Sequence, residues 1–250
     1  MLDYFDCNVI LGQVPKPAPG GILDAERLLA EMDRYVIREA LVYHAFARRS
    51  APERGNRLAS EAAAQSPRLH PCWMVLPTGT GEMPSFDDLA RAMLQDGVRA
   101  VRIAPDAGGH MFSLTPVVCG DLFDWLETHR LPLLVEQTAV CWRDVDEILD
   151  RHPQLPLVLI DVTYRINRDL YPRLRAYANL YVEISYLQQH RGIEDLCAQF
   201  GPERLLFGSK IPMLCPGAPR HMLETAPIPE EAKAAIAGDN LRKLLAAVPW

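Results

Sequence analysis

The sequence predicts an α/β barrel, a TIM barrel in which eight parallel strands alternate with helices. Short apolar runs rich in β-branched residues alternate with segments of helical periodicity along the chain, which is typical of βα units. Eight such runs are present, and a (β/α)8 barrel typically needs about 250 residues. We find no internal repeat or linker, so we predict a single domain over residues 1–250.

The eight predicted strands are short and mostly apolar. They cover residues 4–10, 40–43, 70–76, 100–103, 133–136, 157–161, 181–184 and 205–207. In such barrels the side chains at the carboxyl ends of the strands surround the active-site mouth, while the lower interior is packed solid. The candidates for the mouth are therefore Asn8, Ile10, His44, Arg102, Glu136, Asp161, Glu183 and Lys210.

Two of the intervening helices have recognisable ends. A helical pattern over residues 25–36 follows Asp24, a favoured N-cap residue, and carries an apolar face that includes Val36. Ser85 begins a second helix with a variant of the capping box, and Gly97 ends that helix. The segments 13–21 and 212–219, rich in proline and glycine, follow the first and last strands. We expect them to meet at one rim and to cover the pocket.

Composition excludes several classes of function. The chain is 49% hydrophobic and 23% charged, which is ordinary for a globular protein, and it has a net charge of -6. No apolar run approaches the roughly 18 residues that span a bilayer, and an acidic chain does not attract nucleic acid. Six scattered cysteines without a Cys-x-x-Cys pair indicate reduced thiols. We expect a cytoplasmic protein without nucleic-acid or membrane partners, and homo-oligomer formation stays open.

The segment 204–212, Arg-Leu-Leu-Phe-Gly-Ser-Lys-Ile-Pro, resembles the last barrel strand of the amidohydrolase superfamily. That family has Gly-Ser-Asp-x-Pro at this point, and here Lys210 occupies the position of the Asp. The opening segment 3–12 is similar to the family's first strand, Asp-x-His-x-His-x-Gly, with Asp6 and Gly12 at the matching positions.

The resemblance continues to the end of the chain. The segment 235–245 is similar to the family's C-terminal helix, with Asn240 at its usual Asn, and the segments 130–138 and 154–161 are similar to its fifth and sixth strands. The resemblance implies the amidohydrolase barrel for nearly the whole chain. It also implies a site in which the family holds a catalytic metal.

Every position that carries a metal ligand in that family is changed here. The residues at these positions are Asn8, Ile10, Glu136, Asp161 and Lys210. Catalytic zinc sites use neutral imidazoles and carboxylates, and an ammonium group competes for the same space. The oxygen atoms of Asn, Glu and Asp are possible ligands for a hard cation. Because Lys210 argues against this, we expect neither a metal nor another cofactor.

Three of the five changed positions are ionisable. We expect Glu136 and Asp161 to face Lys210, so that its ammonium stands where the metal stands in the family. Two interpretations stay open. The cluster is either a structural ion pair that fills a polar cavity or part of a ligand-binding or catalytic site.

Four further residues are candidates for contacts with a substrate. Asn8 lies at the mouth, and the planar guanidinium of Arg102 suits a carboxylate, although a strand-end arginine is also commonly paired with a neighbouring acid. His44 is a candidate general base or a hydrogen-bonded pocket wall. Tyr164 follows the sixth strand and belongs either to the pocket or to a surface loop.

These observations lead to two hypotheses for function. The first is a metal-independent hydrolase of a lactone or ester with a small anionic substrate, in which Lys210 polarises the carbonyl and Asp161 or Glu136 handles the proton. A Schiff base on Lys210 is an alternative within this hypothesis. The second is a pseudoenzyme that binds a metabolite or a protein partner without catalysis. The fold cannot choose between them, because function belongs to the site.

Overall fold

The chain forms a barrel of parallel strands surrounded by helices, and the predicted fold class is confirmed. The structure is a computed structural model that describes residues 2–14 and 23–250. Its strands are β1 (Tyr4–Leu11), β2 (Ile37–His44), β3 (Leu69–Pro71), β4 (Trp73–Met74), β5 (Val101–Arg102), β6 (Leu133–Glu136), β7 (Leu157–Ile160), β8 (Leu180–Glu183) and β9 (Leu205–Leu206).

All neighbouring strands pair in parallel, in the order of the sequence. Strands β1 to β3 form one run and β4 to β9 form a second. The two short strands β3 and β4 correspond to the third predicted strand, interrupted at Cys72, whose N–H donates to Val42 O at 2.8 Å. The two runs also meet between the last strand and the first. There the Cys7 N–H donates to Phe207 O at 3.0 Å and connects β1 to the end of β9. The eight predicted strands therefore surround one interior.

The helices lie outside the strands, between one strand and the next. They are α1 (Ala25–Arg34), α2 (Ala45–Arg49), α3 (Pro52–Ala63), α4 (Phe86–Asp96), α5 (Pro116–Thr128), α6 (Trp142–Arg151), α7 (Asn167–Ala176), α8 (Gly192–Phe200), α9 (Gly217–Thr225), α10 (Glu230–Ala234) and α11 (Asn240–Ala246). Short 3₁₀ turns cover Thr78–Thr80, Gln137–Ala139 and Tyr164–Ile166, and a π-helical segment, Ala235–Asp239, precedes α11.

Alternation along each strand produces two apolar layers. In β6, Leu133 and Val135 pack in the layer shared with the helices, while Leu134 packs inside the barrel. This follows from the period of two in a β-strand, which sends successive side chains to opposite faces. Leu241 of α11 belongs to the inner layer, and the Asn240 side chain donates to Leu205 O at 2.9 Å. The last helix therefore closes the barrel at the amino ends of the strands.

The predicted helix ends are confirmed, with one correction. Asp24 accepts from the Arg27 N–H at 2.9 Å, and Ser85 accepts from the Asp88 N–H at 3.2 Å. Helix α1 ends at Arg34, however, and Val36 is an exposed residue with φ +53° rather than part of the apolar face. The pattern failed there because the chain must turn into β2, and a left-handed residue makes that turn. No helix in the described part of the chain is long and apolar enough to span a membrane.

Candidate functional site

A cavity of about 320 Å³ opens at the carboxyl ends of the strands. Three cationic side chains and one carboxylate line it, together with apolar groups and one tyrosine. The lining residues are Ile10, Val14, Tyr43, Ala45, Arg48, Arg49, Gly108, Glu136, Lys210 and Met213. The volume lies at the lower end of the range for small-ligand sites, so the cavity suits a ligand about the size of one substituted ring.

Lys210 reaches the cavity floor and forms an ion pair with Asp161. Its Nζ donates to Asp161 Oδ2 and lies 5.0 Å from the centre of the Tyr186 ring. Burial disfavours the ammonium, but the neighbouring Asp161 carboxylate outweighs that effect and raises the pKa of Lys210 above its ordinary range. Lys210 is therefore a charged group at neutral pH, which argues against the Schiff-base alternative, because that chemistry needs a neutral amine.

Both partners of this ion pair have left-handed backbone conformations. The φ angle is +61° at Asp161 and +55° at Lys210. Residues other than glycine rarely adopt this region, which costs about 1–2 kcal/mol per residue. Such conformations cluster at functional sites, where the surrounding structure holds them in place. Here each lies immediately after or near the end of a barrel strand and directs a charged side chain toward the other.

Asn8 connects the ion pair to a second, deeper carboxylate. Its Nδ2 donates to Asp161 Oδ1 and to Glu183 Oε2, each at 3.4 Å, while its Oδ1 accepts from Arg102 Nη2 at 2.6 Å. This orientation uses both ends of the amide. We call Asn8, Asp161, Glu183 and Lys210 the floor cluster.

Glu183 is fully buried beneath the ion pair. It accepts from the Ser185 N–H, from Ser185 Oγ at 2.9 Å and from the Asp161 N–H at 3.3 Å. Burial and then the charge of Asp161 raise the pKa of Glu183 to about 7. A Cβ on Gly208 would lie 2.6 Å from Glu183 Cγ and Oε1, so the glycine of the Gly-Ser-Lys motif leaves room for this side chain.

Glu136 lies at the cavity but its direct partner is not Lys210. Arg48 Nε and Nη2 donate to the two oxygens of Glu136 at 3.2 and 3.0 Å, and Arg48 Nη2 also donates to Asp106 Oδ1 at 3.2 Å. The expected triad of Glu136, Asp161 and Lys210 is therefore corrected to two separate clusters. We call Arg48, Asp106 and Glu136 the rim cluster.

Arg102 lies below the cavity rather than on its wall. It is 4% exposed, its guanidinium stacks 4.1 Å from the centre of the Tyr43 ring, and it donates to Asn8. Its position supports the amide of Asn8 and the phenol of Tyr43 from beneath. A ligand in the cavity meets Arg48 and Arg49 instead, so the predicted contact between Arg102 and a substrate carboxylate has no support here.

His44 and Tyr164 also lie off the lining. His44 Nδ1 accepts from the Phe46 N–H at 3.2 Å and caps α2, and burial lowers the pKa of His44. Its ring packs on Gly12, where a Cβ would lie 2.5 Å from Cε1 and Nε2. Because Nδ1 is engaged and the ring is not part of the cavity lining, His44 has a structural role here and is neither a general base nor a wall of this cavity. Tyr164 is 52% exposed on the turn after β7, which fits the surface-loop alternative.

The two segments expected to cover the pocket each contribute a residue to it. Val14 and Met213 line the cavity. Residues 15–21 of the first segment lie outside the described residues.

The sequence interpretation missed the three polar lining residues Tyr43, Arg48 and Arg49. It took His44 as the only functional side chain from the second strand. The signal that could have indicated the two arginines was their position, a few residues after the strand end on the short helix α2. Arg49 is exposed, and within residues 2–14 and 23–250 it has no acidic partner. It is therefore available to a ligand.

The residues at the family's ligand positions do not fit a divalent metal. Asp161 is bound by Lys210 and Asn8, Glu136 is held on both oxygens by Arg48, and the Asn8 oxygen accepts from Arg102. Ile10 offers no donor atom. Among the described residues, no group of three or more His, Cys, Asp or Glu side chains has an arrangement that could hold a metal ion. We derive no chemical step through a metal.

Comparisons with known proteins give one family and several structural neighbours. The amidohydrolase family model matches residues 3–246. A search of curated proteins finds no match. An uncharacterised TIM-barrel protein of Bordetella bronchiseptica is similar in structure, with a TM-score of 0.75, 19% identity and 100% coverage of both chains.

Two further neighbours have named activities. A 2,6-dihydroxybenzoate decarboxylase from Rhizobium has a TM-score of 0.74 and 14% identity, over 98% of this chain and 99% of its own. A Pseudomonas putida protein assigned as a 2-pyrone-4,6-dicarboxylic acid hydrolase has a TM-score of 0.73 and 18% identity, over 99% of this chain and 98% of its own. At these identities the likeness establishes the barrel fold and not a shared activity.

Proposed function

Because the chain belongs to the amidohydrolase family, we propose that its mouth cavity binds a small organic carboxylate without a divalent metal and hydrolyses an activated ester such as a lactone. One observation carries the proposal. Three cations, Arg48, Arg49 and Lys210, line a cavity in which Glu136 is the sole acid among the described lining residues. Cationic groups in a cleft attract an anionic ligand.

Each charged residue of the lining has a separate role in this proposal. Arg49 binds the carboxylate, since its guanidinium is not engaged by a described acid and can form a bidentate contact. Lys210, fixed by Asp161, donates to the carbonyl oxygen and stabilises the negative charge that develops on it. The neighbours named above act on, or are assigned to, small organic acids, which supports the ligand class.

Glu136 is the carboxylate that lines the cavity, so it is the better placed of the two predicted acids to accept a proton. Each carboxylate oxygen has two acceptor sites, and Arg48 occupies one on each. Water then adds to the acyl carbon, Glu136 takes its proton, and the same proton passes to the leaving alkoxide. The net change is one ester and one water to one acid and one alcohol.

The second candidate function is a binding protein without catalysis. The ion pairs of Lys210 with Asp161 and of Arg48 with Glu136 favour it, because both already satisfy the charges of the cavity. Under this alternative a carboxylate still binds, but no ester is consumed.

A thermal-shift screen combined with an ester assay tests the proposal. We expect benzoate and 2-pyrone-5-carboxylate to raise the melting temperature, with no change when excess chelator is added, because selective binding stabilises the native state. Proton release in a pH-stat should report hydrolysis of the pyrone at a rate that Glu136→Gln reduces. Stabilisation by neutral sugars or amines alone, or binding that chelator abolishes, would contradict the carboxylate site. Binding without proton release would favour the second candidate.

A further inference from the structure

Tyr43 occupies a special position between the cavity and the buried polar residues below it. It is the penultimate residue of β2, it is 4% exposed, and it lines the cavity. The Arg102 guanidinium covers its ring at 4.1 Å from the centroid. The ring is thus held from below by a buried cation, and the cavity is the open direction.

The Tyr43 hydroxyl forms no hydrogen bond with any described side chain or backbone group. Other tyrosines of the protein do form them. Tyr4 donates to Glu224 Oε1 at 3.2 Å, and Tyr171 donates to Asp195 Oδ2 at 2.5 Å. Buried tyrosine hydroxyls usually have a partner within the protein. The Tyr43 oxygen is not one of the described side-chain atoms that are both sealed from water and unpaired, so it faces the cavity that Tyr43 lines. The hydroxyl of Tyr43 is therefore a donor without a role in the fold.

The charges around this hydroxyl belong to the site. The phenol interacts electrostatically with Arg102, Glu136, Arg48 and Lys210, and the last three line the same cavity. Burial raises the pKa of Tyr43 above its ordinary value of 10.0, so the group keeps its proton at neutral pH. It is a stable O–H donor in the cavity that Lys210 also lines.

We infer that Tyr43 is a ligand-binding residue whose hydroxyl donates, together with Lys210, to a carbonyl oxygen of the bound acid. The inference rests on the proposed function and narrows the ligand class. The cavity then selects acids that carry an ester or lactone carbonyl in addition to the carboxylate held by Arg49. A simple carboxylate uses Arg49 alone and leaves Tyr43 unpaired.

The test compares Tyr43→Phe with the parent protein by calorimetric titration. The probes are 2-pyrone-5-carboxylate, which has both groups, and benzoate, which has only the carboxylate. Removing one hydrogen bond should weaken binding of the pyrone roughly tenfold, while binding of benzoate changes by less than about twofold. Where the parent hydrolyses the pyrone, KM replaces the dissociation constant.

Stability provides the matched control. Tyr43→Phe keeps the ring and its contact with Arg102 and loses no hydrogen bond of the fold, so its melting temperature should equal that of the parent. Tyr171→Phe removes a bonded hydroxyl on the outer helix α7. It should melt earlier and bind the pyrone as the parent does.

The outcomes separate the inference from the proposed function. Equal affinity of the parent and Tyr43→Phe for the pyrone would overturn the role of Tyr43 and leave the carboxylate site intact. An earlier melting Tyr43→Phe with unchanged affinity would make Tyr43 a structural residue and would also overturn the inference. If neither probe binds the parent, the proposed function fails and the inference fails with it.

Discussion

The floor cluster and the rim cluster lie at the same end of the barrel, yet they hold charge in different ways. In the floor cluster, Lys210 and Asp161 side chains are 17% and 9% exposed, and Glu183 is fully buried. In the rim cluster, Arg48, Asp106 and Glu136 side chains are 18%, 30% and 23% exposed. In the floor cluster the Lys210 ammonium pairs with one carboxylate, that of Asp161. In the rim cluster the planar guanidinium of Arg48 bridges the carboxylates of Asp106 and Glu136.

The difference shows how the barrel divides structure and recognition. Strand ends fix the floor residues, and a left-handed backbone holds Asp161 and Lys210 toward each other. The rim residues come from helix α2, the loop after β5 and the end of β6, and two of them, Arg48 and Glu136, line the cavity. Buried charges depend strongly on their partners, while pairs that reach solvent contribute less. We therefore expect the floor to dominate stability and the rim to dominate binding.

Removing the single ammonium of the floor should have the largest effect. Lys210→Ala leaves Asp161 and Glu183 near each other without the ammonium that pairs with Asp161, and breaking a buried charge set typically costs about 3–5 kcal/mol. Without Lys210 the two carboxylates repel each other when both are ionised, so stability is retained in acid and lost as pH increases. Urea unfolding at pH 5 and pH 8 measures this difference.

A matched variant separates charge from packing. Lys210→Met keeps the length and apolar stem of the side chain, and it should lose nearly as much stability as Lys210→Ala at pH 8. If Lys210→Met is as stable as the parent, the loss in Lys210→Ala comes from a cavity. Parent-like stability of both variants from pH 5 to pH 8 would show that the ammonium does not neutralise the floor.

The titration of Glu183 should produce the next largest effect. Its pKa is raised from 4.5 to about 7 in the folded protein. The folded state then holds a proton that the unfolded state has released, so stability is fully present below pH 4.5 and falls as pH rises to 7. The shift corresponds to at most about 3 kcal/mol, at 1.36 kcal/mol per pKa unit.

Glu183→Gln removes this titration. We expect the free energy of unfolding to decrease between pH 4.5 and 7 by a smaller amount in the variant than in the parent, whatever its absolute stability. The pKa of His44 is lowered by burial, which acts in the opposite direction in both proteins and cancels in the comparison. Parallel pH profiles for parent and variant would mean that Glu183 ionises normally and that the floor is not a low-dielectric site.

The sequence was sufficient for the barrel and for the floor, and insufficient for the rim. Short apolar runs rich in β-branched residues and caps such as Asp24 are local signals, so the strands and helices followed from them. The pair of Lys210 with Asp161 followed from strand ends that share one edge. The partner of Glu136 depends on the direction that helix α2 takes after His44, which is set by tertiary packing and not by a local sequence signal. As a result, Arg48 and not Lys210 forms the ion pair with Glu136.

Removing the rim guanidinium should have a smaller effect on stability than either change in the floor, and a large effect on binding. Arg48→Gln breaks a partly exposed network, and an ion pair in contact with solvent contributes about 1 kcal/mol or less. Arg49→Gln, the adjacent control, removes a cation that has no acid partner in the described chain, and its stability should change by less than about 0.5 kcal/mol. Both variants should weaken binding of benzoate, measured by calorimetry, because each removes positive charge from the cavity.

If Arg48→Gln were to lose as much stability as Lys210→Ala, exposure would not separate the two clusters, and the rim would have to be counted as part of the structural core. If it lost little stability but bound benzoate as the parent does, the rim would be neither structural nor a binding surface, and the carboxylate contact would fall to Arg49 alone.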